Sequence, residues 1–321
     1  MAAGNVNYDT ILSTTLANHM PKMIDNIFSA RPLVYFLKQA GQIRTIAGGT
    51  KIVLPLLYGT NSTAKSYSGY EALTITEQTG MTAAEYNWKQ YAATIAISGI
   101  EEAKNNSEEQ IIDLLEAKTF QAEETIAENF DKMFIQSGLT SNATGNSGKD
   151  WLGLAALVKD STSTNIGGID QTDADNTWWR PYKETTAGAL TLAQMRKAYN
   201  TVAQGNDQPN MILTTQVLYE KYEDLLQSQE RFMDPKVLDG GFQNLLFKGA
   251  PMVFDNYVVA GDMYFLNTKY LRLVGHSDTW FKPTPFVRPR DVDARYAQIL
   301  CYGELTISNR ARQGVLTAKT A

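Results

Sequence analysis

SEEQIIDLLEAKTFQAEETIAENFDKMFIQSG, residues Ser107–Gly138, is the stretch on which the fold turns. It reads as one long helix with both ends marked. Ser107 stands three residues before Gln110, the spacing of a capping box in which hydroxyl and amide each satisfy an orphan backbone N–H. Glu108 and Glu109 lie where the helix dipole favours negative charge, and Gly138 supplies a left-handed stop. Ile111, Leu115, Thr119, Ala122, Ile126, Phe130 and Met133 recur at a mean spacing of about 3.67, the period of a straight helix and not of a left-handed coiled coil. At 1.5 Å per residue the rod is roughly 45 Å long. The opposite face carries Asp113, Glu116, Lys118, Glu123, Glu124, Glu128 and Asp131 and is expected to be wet. The plain reading is an amphipathic helix in a globular core. The stronger one is a spine along which a thin, plate-like molecule is built.

Upstream, EYNWKQYAATIAISG (Glu85–Gly99) reads as a strand leading into the spine. Lys51–Tyr58 is an apolar, β-branched strand that Pro55 demotes toward an edge. Ile43, Thr45 and Ala47 alternate before it, with Gly48-Gly49 able to form a tight turn between the two. Between the long strands lie about 25 residues, Thr60–Ala84, rich in Ser, Thr, Gly and Ala; an internal loop of that length is functional or disordered. Pro32 opens a short helix ended by Gly41. Residues 1–30 are polar, interrupted at Pro21, and need something to dock on.

Downstream, residues Thr140–Tyr182 read as an irregular surface segment anchored by Trp178-Trp179. Leu190–Gly205 is a second capped helix, boxed by Thr191 and Gln194 and striped by Leu192, Met195, Tyr199 and Val202. A strand at Met211–Leu213 leads to a third helix capped by Thr214 or Thr215, with Val217, Leu218, Tyr222 and Leu225 facing in. This block alternates as an α/β lobe does. After Gly240-Gly241 the chain returns through three strand-like stretches, the last being ARYAQILCYGELTISN (Ala294–Asn309).

Composition bounds the chemistry. The 321 residues carry a net charge of −5, with 43% hydrophobic and 20% charged content. No basic stripe offers a sequence-specific nucleic-acid surface, no run of uncharged apolar residues is long enough for a bilayer, and no secretory signal is visible. Cys301 stands alone, and His19 and His276 have no metal-ligand spacing around them. GNSGKD (Gly145–Asp150) imitates a phosphate loop but has Ala143 for the first glycine and Asp150 where Ser or Thr would hold magnesium. Asp170, Asp173 and Asp175 imitate a calcium loop, with Trp178 where the turn needs glycine. The sequons at Asn61, Asn105 and Asn142 carry no weight without a signal peptide. No nucleophile elbow occurs. Arg288, Arg290, Asp291, Asp293 and Arg295 cluster around Pro289 and read as a salt-bridged contact surface.

The order of these elements resembles the major capsid proteins of tailed bacteriophages. KGAPMVFD (248–255), YFLNTKYLRLVGH (264–276) and FKPTPFVRPRDVDARYAQILCYGELTISNRARQGVLT (281–317) are similar to the C-terminal half of one branch of that family, and TLAQMRKAYN (191–200) with MILTTQVLYEKYEDLL (211–226) to its axial lobe. The resemblance runs from Arg31 to Thr317. It implies an α+β, Hong Kong phage-type fold: an N-terminal arm at 1–30, an extended hairpin loop within 31–99 whose tip is 60–84, a peripheral domain at 100–187 with spine 108–137, an axial domain at 188–275, and a return at 276–321. It implies a shell subunit in the virion, assembled inside the host bacterium as hexamers and pentamers. The implied partners are other copies, a separate scaffolding protein, a portal and decoration proteins. Double-stranded DNA would be enclosed without sequence-specific binding, and no cofactor, metal, membrane or catalytic residue is implied. The expected contact residues are Lys65, Tyr67, Tyr70, Leu73 and Ile75 on the loop, and Arg288, Arg290, Asp291 and Arg295 in the charge cluster. The second reading is an encapsulin-like compartment subunit, and a third is a soluble enzyme.

Overall fold

The computed structural model describes residues 13, 14, 16, 31–104, 108–136, 148–159, 165–227 and 245–321. Most of the arm, His19, Asn105, the Ser107 cap, the side chains of Ile111 and Asp113, Gly138, Asn142, Gly145–Ser147 and Gly240-Gly241 lie outside the described residues.

The spine is α3 (Glu108–Gln136), 29 residues long. Leu115, Thr119, Ile126, Phe130 and Met133 are buried along it, as the periodicity predicts. Two acids expected on the wet face, Glu123 and Asp131, are also buried. Toward its C-terminal end the helix is enclosed on almost every side, with Phe130, Asp131, Met133, Phe134 and Ile135 all inside. Gly153 explains part of this. It crosses the helix so closely that a Cβ there would stand 2.2 Å from the Met133 carbonyl oxygen. Phe130 centres an aromatic cluster, with Tyr91, Trp151 and Phe281 rings at 4.9, 5.1 and 5.6 Å.

The spine lies against a five-stranded sheet. Its backbone is β15 (Ala294–Ile307), which pairs antiparallel with β4 (Lys89–Ser98), β13 (Leu271–His276) and β14 (Lys282–Pro283). β1 (Ile43–Ile46) joins parallel to β13, Ile43 opposite Leu273. The hairpin expected across Gly48-Gly49 is therefore absent: both glycines take positive φ and turn the chain away. β2 (Ile52–Leu57) pairs instead with β3 (Met81–Tyr86). That strand begins four residues before the expected Glu85, because Thr82 and Ala84 alternate inward as a period of two requires.

A six-stranded sheet runs β10 (Leu245–Phe247), β11 (Ala250–Phe254), β9 (Met211–Thr214), β12 (Met263–Leu266), β16 (Gly314–Leu316), β7 (Tyr182–Glu184). Its central strands are apolar throughout because both faces are covered. Met211, Leu213, Val253 and Tyr264 join the core around the spine. Ile212, Met252, Met263 and Phe265 join a second core under α4 (Leu192–Val202) and α5 (Gln216–Gln227). The Thr191–Gln194 capping box on α4 is present. On α5 the buried stripe is Leu218, Tyr219, Tyr222 and Leu226, whereas Val217 is exposed and Leu225 only half-buried. Leu218 and Tyr222 lie inside as expected, while Tyr219 and Leu226 take the places expected of Val217 and Leu225. Helix α1 (Pro32–Gln39) and the short α2 (Gly99–Lys104) flank the first sheet. Two small pairs, β5 (Asn165–Ile166) with β6 (Ile169–Asp170) and β8 (Gly188–Ala189) with β17 (Lys319–Thr320), complete the fold.

Candidate subunit-contact surfaces

The β2–β3 hairpin has two apolar faces. Its inner face, Ile52, Leu56, Ala84 and Tyr86, belongs to the main core. Tyr86 donates its hydroxyl proton to the Ile307 carbonyl at 2.8 Å, and Glu85 N–H reaches the Gly167 carbonyl at 2.9 Å. Tyr58 stacks on Trp178 at 4.8 Å and 14°. Its outer face holds Val53, Leu57 and Met81 in the open, the last two cross-strand partners at 73% and 82% exposure. Sequence reading missed these three. The signal was there: β2 is apolar at consecutive positions, which a strand with one wet face has no reason to be.

Beyond the hairpin the neck is a glycine pair. Gly59 and Gly80 approach so closely that a Cβ on Gly59 would stand 2.9 Å from the Gly80 Cα. From there to residue 80 the tip has no helix or ladder, only local polar closure. Ser62 N–H donates to Gln78 Oε1 at 3.0 Å, and Lys65 Nζ to the Ala72 carbonyl at 3.2 Å. Tyr67, Tyr70, Leu73 and Ile75 all point away from the chain's own core, Ile75 at 96% exposure.

The charge cluster sits on the loop that leads into β15. Buried Phe286 and a two-bond bridge between Val287 and Tyr296 anchor it, and Gly99 N–H donates to the Asp293 carbonyl at 2.9 Å. Arg288 pairs with Asp293, and Arg295 with Glu102 at 3.1 Å. Arg290 and Asp291 are exposed at the turn. Exposed Val287, Val292 and Ile100 surround these charges and were not anticipated. The cluster and the loop tip are two separate surfaces.

The described residues group no three His, Cys, Asp or Glu side chains as a metal site. Asp170 and Asp173 spend their carboxylates on turns, accepting from the N–H groups of Thr172 and Asp175. His276 Nδ1 accepts from Asp278 N–H at 3.2 Å. Cys301 is buried and its thiol is pushed far up by burial. Glu304 is fully buried on β15, and its carboxyl is pushed up to about 8 by desolvation, although Oε1 accepts from the N–H groups of Leu152 and Leu305. No described helix is long and apolar enough to cross a membrane.

The molecule is a mixed helix-and-sheet fold with two hydrophobic cores and with exposed apolar side chains on the hairpin and beside the charge cluster. The asymmetric unit of the cyanophage A-1(L) capsid is similar, with a TM-score of 0.62 at 16% identity over 89% of this chain and 93% of that one. The capsid of a native GTA particle gives 0.60 at 11% identity, covering 88% and 90%. The SrpI encapsulin of Synechococcus elongatus PCC 7942 gives 0.57 at 10%, covering 88% of each chain. These likenesses establish the tailed-phage capsid fold. No curated protein matches the sequence. The chain belongs to the SU10 major capsid protein family, whose model matches residues 57–320. It is a structural subunit of a bacteriophage capsid, and its place is the virion shell.

Proposed function

We propose that the subunit closes its shell through two contacts made with other copies: the hairpin tip of one subunit lies over its neighbour, and the loop at 288–295 meets its counterparts at a junction between subunits. The observation that carries this reading is the outer face and tip of the hairpin, where Leu57, Met81, Tyr70 and Ile75 are large, apolar and open to water. Backbone order costs roughly 1–2 kcal/mol per residue, so an extended tip without a ladder needs a partner surface to hold it. Lys65 and Glu71 add rim contacts worth little each. Arg290 beside Asp291 gives the second surface both signs, which suits a copy of itself. Head-to-tail contacts of this kind close into rings, and the subunit forms hexamers and pentamers in this reading. Residues 1–30 act as an arm, 31–99 carry the extended hairpin loop, 188–275 form the axial domain, and 100–187 with 276–321 form the peripheral domain. A scaffolding protein, a portal and decoration proteins complete the particle. Its acidic balance lets it enclose double-stranded DNA without gripping it. The role is structural and not catalytic.

Limited proteolysis tests this reading. Cleavage is expected within residues 60–80 of the unassembled subunit and is expected to be suppressed in purified particles. Equal protection in both states would assign the tip to its own subunit and remove the interlocking contact.

A further inference from the structure

The C-terminal third of the spine is hydrogen-bonded to the turn that follows β11. Glu128 Oε1 accepts from the Tyr257 hydroxyl at 2.5 Å, and Gln136 Nε2 donates to the Tyr257 carbonyl at 2.8 Å. Between them, on the same side of the helix, Asp131 faces Asp255. Asp131 is 1% exposed and Asp255 is 7% exposed. Asp255 spends Oδ1 on the Tyr257 N–H at 2.9 Å. Neither oxygen of Asp131 meets an N–H donor at hydrogen-bonding distance among the described residues, and the nearest cation, Arg31 Nε, stands 3.8 Å from Oδ2. Two buried carboxyls within reach of each other are both acceptors when ionised. They form a hydrogen bond only while one holds a proton.

We propose that Asp131 and Asp255 are a proton-bridged latch that fastens the spine helix to the six-stranded sheet, and that loss of the bridging proton opens this junction while both sheets stay folded. The charge balance around the pair favours this. Among the described residues, Arg31, at the start of α1, is the cation that faces the pair. Glu128 on the spine and Tyr257 on the turn complete the titratable groups that face it among the described residues. Burial, and then the neighbouring Asp255, pushes the Asp131 carboxyl up to about 8, and burial raises Asp255 as well. Tyr257, pushed up to about 12 first by burial and then by Glu128, remains a donor through this range. The folded-state value lies above that of a free carboxyl. The closed junction is therefore fully favoured only below the range of a free carboxyl, about pH 4, and loses its advantage progressively as pH rises from there to about 8. At that point two carboxylates share one guanidinium in a water-poor site, and repulsion acts along the line that joins helix to turn. In a shell, the angle between spine and sheet sets how the surfaces at 58–80 and 288–295 are aimed. That consequence rests on the assembly reading above, whereas the latch itself does not.

The test is therefore made on the unassembled full-length chain. Amide hydrogen exchange, corrected for its intrinsic pH dependence, is followed from pH 6 to 9.5 in peptides covering 250–258 and 126–136, with β9 and β15 as references. In the wild type, the opening constant of the junction is expected to rise by up to about tenfold per pH unit from pH 6 to about 8, the slope for one released proton, and to level off above that, where neither state holds the proton. Asp131→Asn places an amide donor against Asp255 and has nothing to titrate, so its junction is expected to stay closed to pH 9.5. Asp255→Asn makes the same statement from the other side if the first variant does not fold. A flat wild-type profile, the same rise in both variants, or a rise shared equally by β9 and β15 overturns the latch.

Discussion

Truncating Phe130 to Ala tests the centre of the fold. The side chain is 3% exposed and its ring lies within 5.6 Å, centroid to centroid, of Tyr91, Phe134, Trp151 and Phe281. Removing a buried phenyl group costs about 3–5 kcal/mol, through lost transfer energy and the cavity left behind. Each aromatic pair adds roughly 0.5–1.5 kcal/mol beyond its area. Collapse is obstructed, because Gly153 already presses on the helix backbone and Trp151 is held close against Gly303. The loss is therefore expected near the upper end, about 4–5 kcal/mol. Glu124→Ala, one turn and a half away on the exposed face, is expected to change stability by no more than about 0.5 kcal/mol. Equilibrium denaturation of the unassembled subunit measures both, as a change in midpoint at constant slope. Comparable losses in the two variants, or a loss under about 2 kcal/mol for Phe130→Ala, would refute the view that the spine's buried stripe organises the core.

Glu304→Gln preserves an acceptor for the Leu152 and Leu305 N–H groups and removes a buried acid whose folded-state value, about 8, lies above its unfolded one. Wild-type stability from this group is full below about pH 4.3 and falls by up to about 1.4 kcal/mol per unit as pH rises through 8, so the variant's stability should decline less steeply between pH 5 and 8.5. Denaturation midpoints at both ends of that range settle it, and coincident slopes mean that Glu304 does not carry the proton. Trp178→Ala removes the stacked partner of Tyr58 and is expected to cost about 1–2 kcal/mol and to extend proteolytic cleavage from the tip into the hairpin base. Cleavage confined to the tip would show that the Ile52–Tyr86 end holds the hairpin unaided.

The spine, the capped α4, the long loop and the returning strands were legible because each is written in local periodicity and end signals. Leu115, Phe130 and Met133 lie where a period of 3.6 puts them. Asp131 was misplaced for a reason that no wheel diagram contains. Its cover, Asp255 and the turn that follows, arrives more than a hundred residues later in the chain, and only that contact makes a polar position an interior one. The parallel pairing of β1 with β13 has the same cause, since Gly48-Gly49 looked like a local turn and the true partner lies beyond five of the six strands of the second sheet. Among the surface residues, the four large apolar side chains of the tip were visible as an oddity of composition. Leu57 and Met81 were not, because a strand that is apolar on both faces reads as buried on both.

That last ambiguity bears on the molecule's purpose. β9 and β2 are both apolar at consecutive positions. β9 has a sheet neighbour on each side, a helix layer on one face and the spine core on the other. β2 has one sheet neighbour, one covered face and one open face. A two-stranded ribbon is marginal by itself, and an exposed apolar face on it is a liability that monomeric proteins blunt with charge. Here the outer positions of the ribbon are Val53, Pro55, Leu57, Met81 and Ala83, with Glu85 and the nearby Lys51 confined to the end nearest the core, where they pair at 2.7 Å. The charge that would protect a solitary subunit stops where the hairpin leaves the body. The same strand grammar that buries β9 within one chain is thus left half-completed in β2, and in the proposed assembly a neighbouring copy completes it.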